Sequence, residues 1–172
     1  SYLAAMTRLD FGSSLYGGGD ALALVLDRLG STLLLALLAL LITAAISIPL
    51  GSWLGFRPDT PGRRAVNAVV FVLQGVPGYI VGLILIQLFV VQVHWFTSLG
   101  NKGPASWVLP SLTMASFLVP KLVRVVTANV AEAMGNDYIR TARATGASEA
   151  EVLMRHALPN ALIPVVTMIG LQ

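Results

Sequence analysis

Apolar residues in this chain come in long unbroken blocks rather than at scattered core positions. No Asp, Glu, Lys or Arg occurs in 29–56, in 65–101, in 103–120, or from 156 to the end. A membrane-crossing helix needs roughly 20 consecutive apolar residues. The pattern therefore predicts spans over 31–54, 65–93 and 107–126, and the start of a further span over 160–172. The third span closes on Lys121 and Arg124, whose long stems can carry their charges to the interface. Trp53, Phe56, Trp95 and Phe96 stand at span ends, where aromatic rings favour the interface.

Within the second block, GVPGY at 75–79 predicts a kink or break, because Pro77 cannot donate a helical hydrogen bond. Asn67, Gln74 and Gln87 are polar at membrane depth. An amide there either faces a pathway or bonds to a neighbouring helix. Gly75, Gly78 and Gly82 favour close helix packing.

Between the blocks the chain is polar. Residues 1–30 read as a segment outside the membrane, with glycine-rich 9–20 lacking a helical period and 21–29 forming a short interfacial helix. Basic residues in loops mark the cytoplasmic side. Arg57, Arg63 and Arg64 precede the second span, and Lys121, Arg124, Arg140, Arg143 and Arg155 follow the third, so eight of the eleven basic residues share one side. The other side has Arg8, Arg28 and Lys102. The N-terminal segment and 94–106 are thus outside, and 127–159 is cytoplasmic.

Composition narrows the function classes. The 172 residues are 56% hydrophobic and 11% charged, against about 25% charged in soluble domains. No cysteine is present, which excludes disulfides, thiol catalysis and cysteine metal sites. The only histidines are His94 and His156, with no P-loop and no cluster of acids or bases at useful spacing. No catalytic residue, metal ligand or cofactor is expected. The net charge of +3 follows the membrane topology and gives no reason to expect a nucleic-acid partner. The chain opens on Ser1 and closes inside an apolar run, which reads as an internal piece of a longer protein.

The most chemically specific stretch is 137–159, DYIRTARATGASEAEVLMRHALP. Gly135 and Asn136 stop the preceding helix, and Asn136 is a candidate cap for the next one, with Asp137 in its first turn. That helix ends at Gly146, suited to a left-handed cap. Ser148 and Glu151 form a capping-box pattern for a second helix, which Pro159 is expected to break or bend before the next span. Ala142, Ala144 and Ala147 form a small face that a partner can approach closely. Tyr138, Ile139, Val152, Leu153 and Met154 are the apolar anchors on offer. The same pattern also suits an amphipathic loop packed on its own bundle.

This stretch resembles the cytoplasmic EAA loop of permease subunits from ATP-binding-cassette importers, whose pattern is Glu-Ala-Ala, three residues, Gly, and a later Leu-Pro. Aligned on Gly146, the Glu-Ala-Ala positions hold Arg140, Thr141 and Ala142, so the pattern is met at Ala142, Gly146, Leu158 and Pro159. The resemblance is closer to the dipeptide, oligopeptide and nickel permease branch, through DYIRTARATG at 137–146 and HALPNALIPVVTMIGLQ at 156–172. Thr145 replaces that branch's usual Lys, and Pro159 its usual Arg. Residues 9–15 resemble its outside segment, 28–51 its second transmembrane helix and 75–86 its third.

The resemblance implies an all-α, multi-span membrane bundle, and an alternating-access importer of peptides or a related small solute. It implies coupling to a separate ATPase through Tyr138, Arg140, Ala142, Arg143, Ala144, Gly146, Ala147, Ser148, Glu151, Leu158 and Pro159. Gln74, Pro77, Tyr79 and Gln87 are its candidates for lining a pathway. Implied partners are cytoplasmic ATP-binding subunits, a second permease subunit, an extracytoplasmic solute-binding protein and the lipid bilayer of the cytoplasmic membrane. Two rival readings are a membrane enzyme using His94 or His156, which lacks any acid, base or metal cluster at useful spacing, and a membrane anchor or assembly subunit that docks a cytoplasmic partner without moving solute.

Overall fold

A computed structural model describes residue 7 and residues 11–14, 18–56, 60–96 and 103–170. The chain divides into two compact units, Ser1–Leu38 and Ala39–Gln172. The described residues are helical apart from turns and an isolated bridge between Ser13 and Asp20.

In the first unit, Asp20 starts helix α1 (Ala21–Phe56): its carboxylate accepts from the Leu22 backbone N–H at 3.2 Å. The expected interfacial helix over 21–29 does not end at Gly30; α1 is continuous. One glycine costs about 1 kcal/mol inside a helix. That is too little to end a leucine-rich helical run that continues on both sides of it. Leu24, Val25, Leu26, Leu33 and Leu37 are exposed, as a lipid-facing helix requires.

In the second unit, Ala39, Thr43, Ser47, Gly51 and Gly55 recur every fourth residue of α1 and are all buried. This small-residue ridge meets helix α4 (Val108–Met134). A Cβ added at Gly51 would lie 2.6 Å from Val126 Cβ, and one at Gly55 would lie 2.5 Å from the Thr127 carbonyl oxygen. Only the missing side chains let the two backbones come so close. Ser47 Oγ also donates to the Val119 carbonyl at 3.2 Å.

The block expected as one span over 65–93 is two helices. Helix α2 (Pro61–Gln74) and helix α3 (Gly78–Ile86), the latter running on as a π-helical stretch Gln87–Gln92, meet at 94°. The break falls at Gly75–Pro77, where a kink was expected. Proline disfavours helical geometry at the residue before it, here Val76. The last carbonyls of α2 are met locally, Val72 by Gly75 N–H at 3.0 Å and Leu73 by Val76 N–H at 3.2 Å. Gly78 and Gly82 set α3 on α4, against Phe117 and Thr113.

The C-terminal end of the α3 segment closes through His94, whose φ of 58° is left-handed. Trp95 and Phe96 then both donate to the Phe89 carbonyl, and their rings pack around Phe89. Arg63 lies 4.9 Å from the Trp53 ring centroid and ties the start of α2 to the end of α1.

After a 3-10 turn at Pro104–Trp107, α4 runs without interruption through Pro120 to Met134. Then follow α5 (Asp137–Ala144), α6 (Glu149–Glu151), a π-helical turn Val152–Ala157 and α7 (Leu158–Gly170). Two buried clusters form on α4. Leu54, Val70 and Val123 make the smaller. The larger joins Leu122, Val126, Val130 and Ala133 to Ile139, Ala142, Val152, Ala157, Ala161 and Val165. Among the described residues, three helices are long and apolar enough to cross a membrane, or four if the bent pair is one span.

The ridge can be tested directly. Gly55→Leu should destabilise the detergent-purified protein by about 1–3 kcal/mol, the usual cost of overpacking, read as a lower thermal midpoint. Gly62→Leu, where a new Cβ meets nothing within 4 Å, should change it little. Equal effects would mean that close approach is not what holds α1 on α4.

Candidate functional site

The charged loop after α4 folds as a fixed two-helix hook. Asn136 adopts the extended backbone of an N-cap, but its side chain makes no cap bond to α5. It donates instead to the Glu132 carbonyl at 3.2 Å and so finishes α4. The expected cap is thus corrected: the amide serves the helix before it.

α5 ends in a Schellman motif. Gly146 has φ +89°, its N–H donates to Arg143 O at 3.1 Å, and the Ala147 N–H donates to Ala142 O at 3.1 Å. Nothing lies within 4 Å of a Cβ built on Gly146. Glycine is therefore required there by backbone conformation, not by crowding. Ser148 then caps α6, its Oγ accepting from the Glu151 N–H at 3.3 Å. The Glu151 carboxylate accepts from Arg155 Nη1 at 2.7 Å, an i,i+4 pair.

One interaction across the turn carried no sequence signal. Arg143 Nε donates to Glu149 Oε1 at 2.9 Å and Nη2 to Oε2 at 3.2 Å, a two-pronged ion pair that staples α5 to α6. The six-residue spacing belongs to no helical period, so only the glycine turn brings the two charges together. Arg140 and Asp137 are 3.5 Å apart and almost fully exposed, which makes that pair weak.

Burial divides the hook into two faces. Ile139, Ala142 and Val152 point inward against α4 and α7. At 0%, 7% and 0% exposure they are not available to a partner, which corrects their reading as a contact face and anchors. The inner half of an amphipathic loop is drawn onto the nearest apolar wall, here Val130 and Ala133. Ala147, Glu151, Leu153 and Leu158 are partly buried. The outer face presents Tyr138, Arg140, Arg143, Ala144, Gly146, Ser148, Met154 and Pro159.

Pro159 does not break the second helix. The π-helical turn just before it loosens the coil, with Leu158 N–H donating five residues back to Leu153 O, and the helix continues into α7. Asn160 Nδ2 donates to His156 O at 2.9 Å beside it. The hook and the following apolar helix are therefore one body from Glu149 to Gly170.

Of the four pathway candidates, Gln74 is engaged: its Oε1 accepts from Arg124 Nη1 at 2.7 Å. Pro77 forms the N-cap of α3, and Tyr79 is 69% exposed. Gln87 opens the π-helical stretch, next to a shallow groove lined by Leu83, Ile84, Ile86 and Leu88. Among the described residues, the grooves on α2, α3 and α4 are not lined by these four together.

Apolar helices around α4, with a charged hook at one end, define a helical integral membrane protein. The chain belongs to the family described as "Binding-protein-dependent transport system inner membrane component", which it matches over residues 47–172. It is 34% identical over 176 residues to the "Glutathione transport system permease protein GsiC" of Salmonella choleraesuis (strain SC-B67), covering 99% of this chain and 56% of the relative. It is 34% identical over 182 residues to the "Oligopeptide transport system permease protein AppB" of Bacillus subtilis (strain 168), covering 99% and 58%. The "Probable peptide ABC transporter permease protein y4tP" of Sinorhizobium fredii (strain NBRC 101917 / NGR234) is 32% identical over 174 residues, with 96% and 55% covered. The chain thus spans a little over half the length of these relatives.

Two measurements probe the hook. Gly146→Ala should weaken it by about 1 kcal/mol, from forcing a Cβ into a left-handed position. Gly146→Asn, a residue that tolerates that conformation, should cost less. Hydrogen exchange over 137–157 would read both, and identical protection in both variants would contradict the backbone account. A double-mutant cycle on Arg143→Ala and Glu149→Ala should return a coupling of about 0.5–1 kcal/mol, the upper range for exposed pairs. A coupling of zero would remove the staple.

Proposed function

We propose that the chain is the membrane-spanning permease portion of an ATP-driven importer. It moves peptides, or a related small solute such as glutathione, across the cytoplasmic membrane by alternating access. The 137–159 hook is the contact for a separate ATP-hydrolysing subunit on the cytoplasmic side, so the permease itself does no ATP chemistry. A second permease subunit completes the pathway, and an extracytoplasmic binding protein delivers the solute. Family membership and the names of the relatives support the class.

The observation that carries the coupling role is the two-faced hook. Its inner face is packed into the cluster on α4 and α7, while its outer face leaves Tyr138, Ala144 and Met154 exposed. A partner that pushes on the outer face therefore pushes on both transmembrane helices. A partner can shift the balance of two states only by binding them unequally, and a hook built into the bundle transmits that difference. Tyr138, Arg140, Arg143, Ala144, Gly146, Ser148 and Pro159 are its contact residues. Ala142, Ala147, Glu151 and Leu158 act by holding its shape.

Cysteine cross-linking in the full-length protein tests this. With the ATPase subunit co-expressed, Ala144→Cys and Met154→Cys should cross-link to it in a manner that changes with ATP. Ala142→Cys, which faces inward, should not. Gly146→Val should insert normally yet lose ATP-dependent peptide uptake. A membrane-folded protein with no cross-link from either exposed position would overturn the coupling role and favour the anchor reading.

A further inference from the structure

We propose that the groove between α2 and α4 is a binding site for the phosphodiester headgroup of an anionic phospholipid from the inner leaflet. The groove encloses about 430 Å³ and is lined by Arg64, Asn67, Ala68, Phe71, Val72 and Arg124. Among the described residues, its lining carries two guanidinium groups and no carboxylate.

Arg124 is held in place rather than merely extended. Nη1 donates to Gln74 Oε1 at 2.7 Å, and the guanidinium carbon lies 5.7 Å from the Phe71 ring centroid. A guanidinium has five N–H donors in a planar fork, and that bond uses one of them. The rest suit an oxyanion, and a phosphate accepts such a fork in two-pronged fashion.

The walls set the remaining chemistry. Phe71 and Val72 are 65% and 66% exposed and give the groove an apolar wall. Arg64 ends the basic segment 57–64, which the charge pattern assigns to the cytoplasmic side. A ligand here meets two positive charges at the level of the inner interface and an apolar wall beside them. A phospholipid has that order of parts, and basic pockets between helices on the cytoplasmic side are where anionic headgroups settle. The proposal rests on the charge-derived topology and not on which solute is moved.

The test uses the full-length protein purified in its complex and placed in bilayer discs of phosphatidylcholine with a minor share of phosphatidylglycerol. Native mass spectrometry counts the anionic lipid retained. Wild type should keep phosphatidylglycerol in preference to phosphatidylcholine. Arg124→Gln should lower that retention about five-fold, the factor for one basic residue near an anionic surface, and Arg64→Gln should lower it in the same direction. Lys121→Gln, on the same helix but outside the groove lining, should leave retention unchanged. Millimolar inorganic phosphate should not displace the lipid, because it lacks the apolar part. Equal loss in Lys121→Gln would reduce the effect to general charge and overturn the site. Displacement by phosphate would make it a free-anion site. If a dipeptide displaced the lipid, the groove would belong to the solute instead.

Discussion

α1, α2, α3 and α7 all pack against α4 within residues 39–170. In hydrocarbon there is no hydrophobic force between apolar helices, because lipid tails are as apolar as leucine. Helices stay together only where their backbones can approach and their surfaces interlock. α4 meets that condition twice, through the Gly51 and Gly55 ridge of α1 and through Gly78 and Gly82 of α3. Polar groups add a few directed bonds: Ser47 to Val119, and Asn129 Nδ2 to the Ala161 carbonyl of α7 at 3.2 Å.

The C-terminal end of the same helix holds the hook. There Val130 and Ala133 gather Ile139, Ala142 and Val152 into a buried cluster, the apolar side of a segment whose other side is charged. Because α4 is unbroken from Val108 to Met134, its contacts with α1 and α3 and the hook cluster share one axis. The hook is joined to α7 just as firmly, through a π-helical turn instead of a break at Pro159. A π turn widens the coil and lets a proline sit in a continuous helix. Two helices thus leave the hook for the membrane with no hinge of irregular backbone between Glu149 and Gly170.

One polar contact joins α2 to α4: Arg124 Nη1 donates to Gln74 Oε1, and its guanidinium lies over the Phe71 ring. An amide that sequence reading leaves between a pathway and a neighbouring helix is here engaged by a cation on that neighbouring helix. The pair is formed by residues 50 positions apart, so neither side's role is evident from its own surroundings in the chain.

Sequence alone determined the membrane class, the approximate apolar blocks, the break at Pro77, the left-handed Gly146 and the Ser148 cap. Each of these is local: a run of apolar residues needs lipid, a proline lacks an N–H, a glycine accepts φ +89°, and a serine oxygen reaches a nearby N–H. Tertiary structure decided what those local rules leave open. It turned Ile139, Ala142 and Val152 inward, because which face of an amphipathic hook is buried depends on the wall that receives it. It paired Arg143 with Glu149, because the turn geometry, not the spacing, sets their distance. It kept α1 whole through Gly30 and α7 joined to the hook through Pro159. A weak breaker yields when the surrounding helix has no better place for its backbone hydrogen bonds.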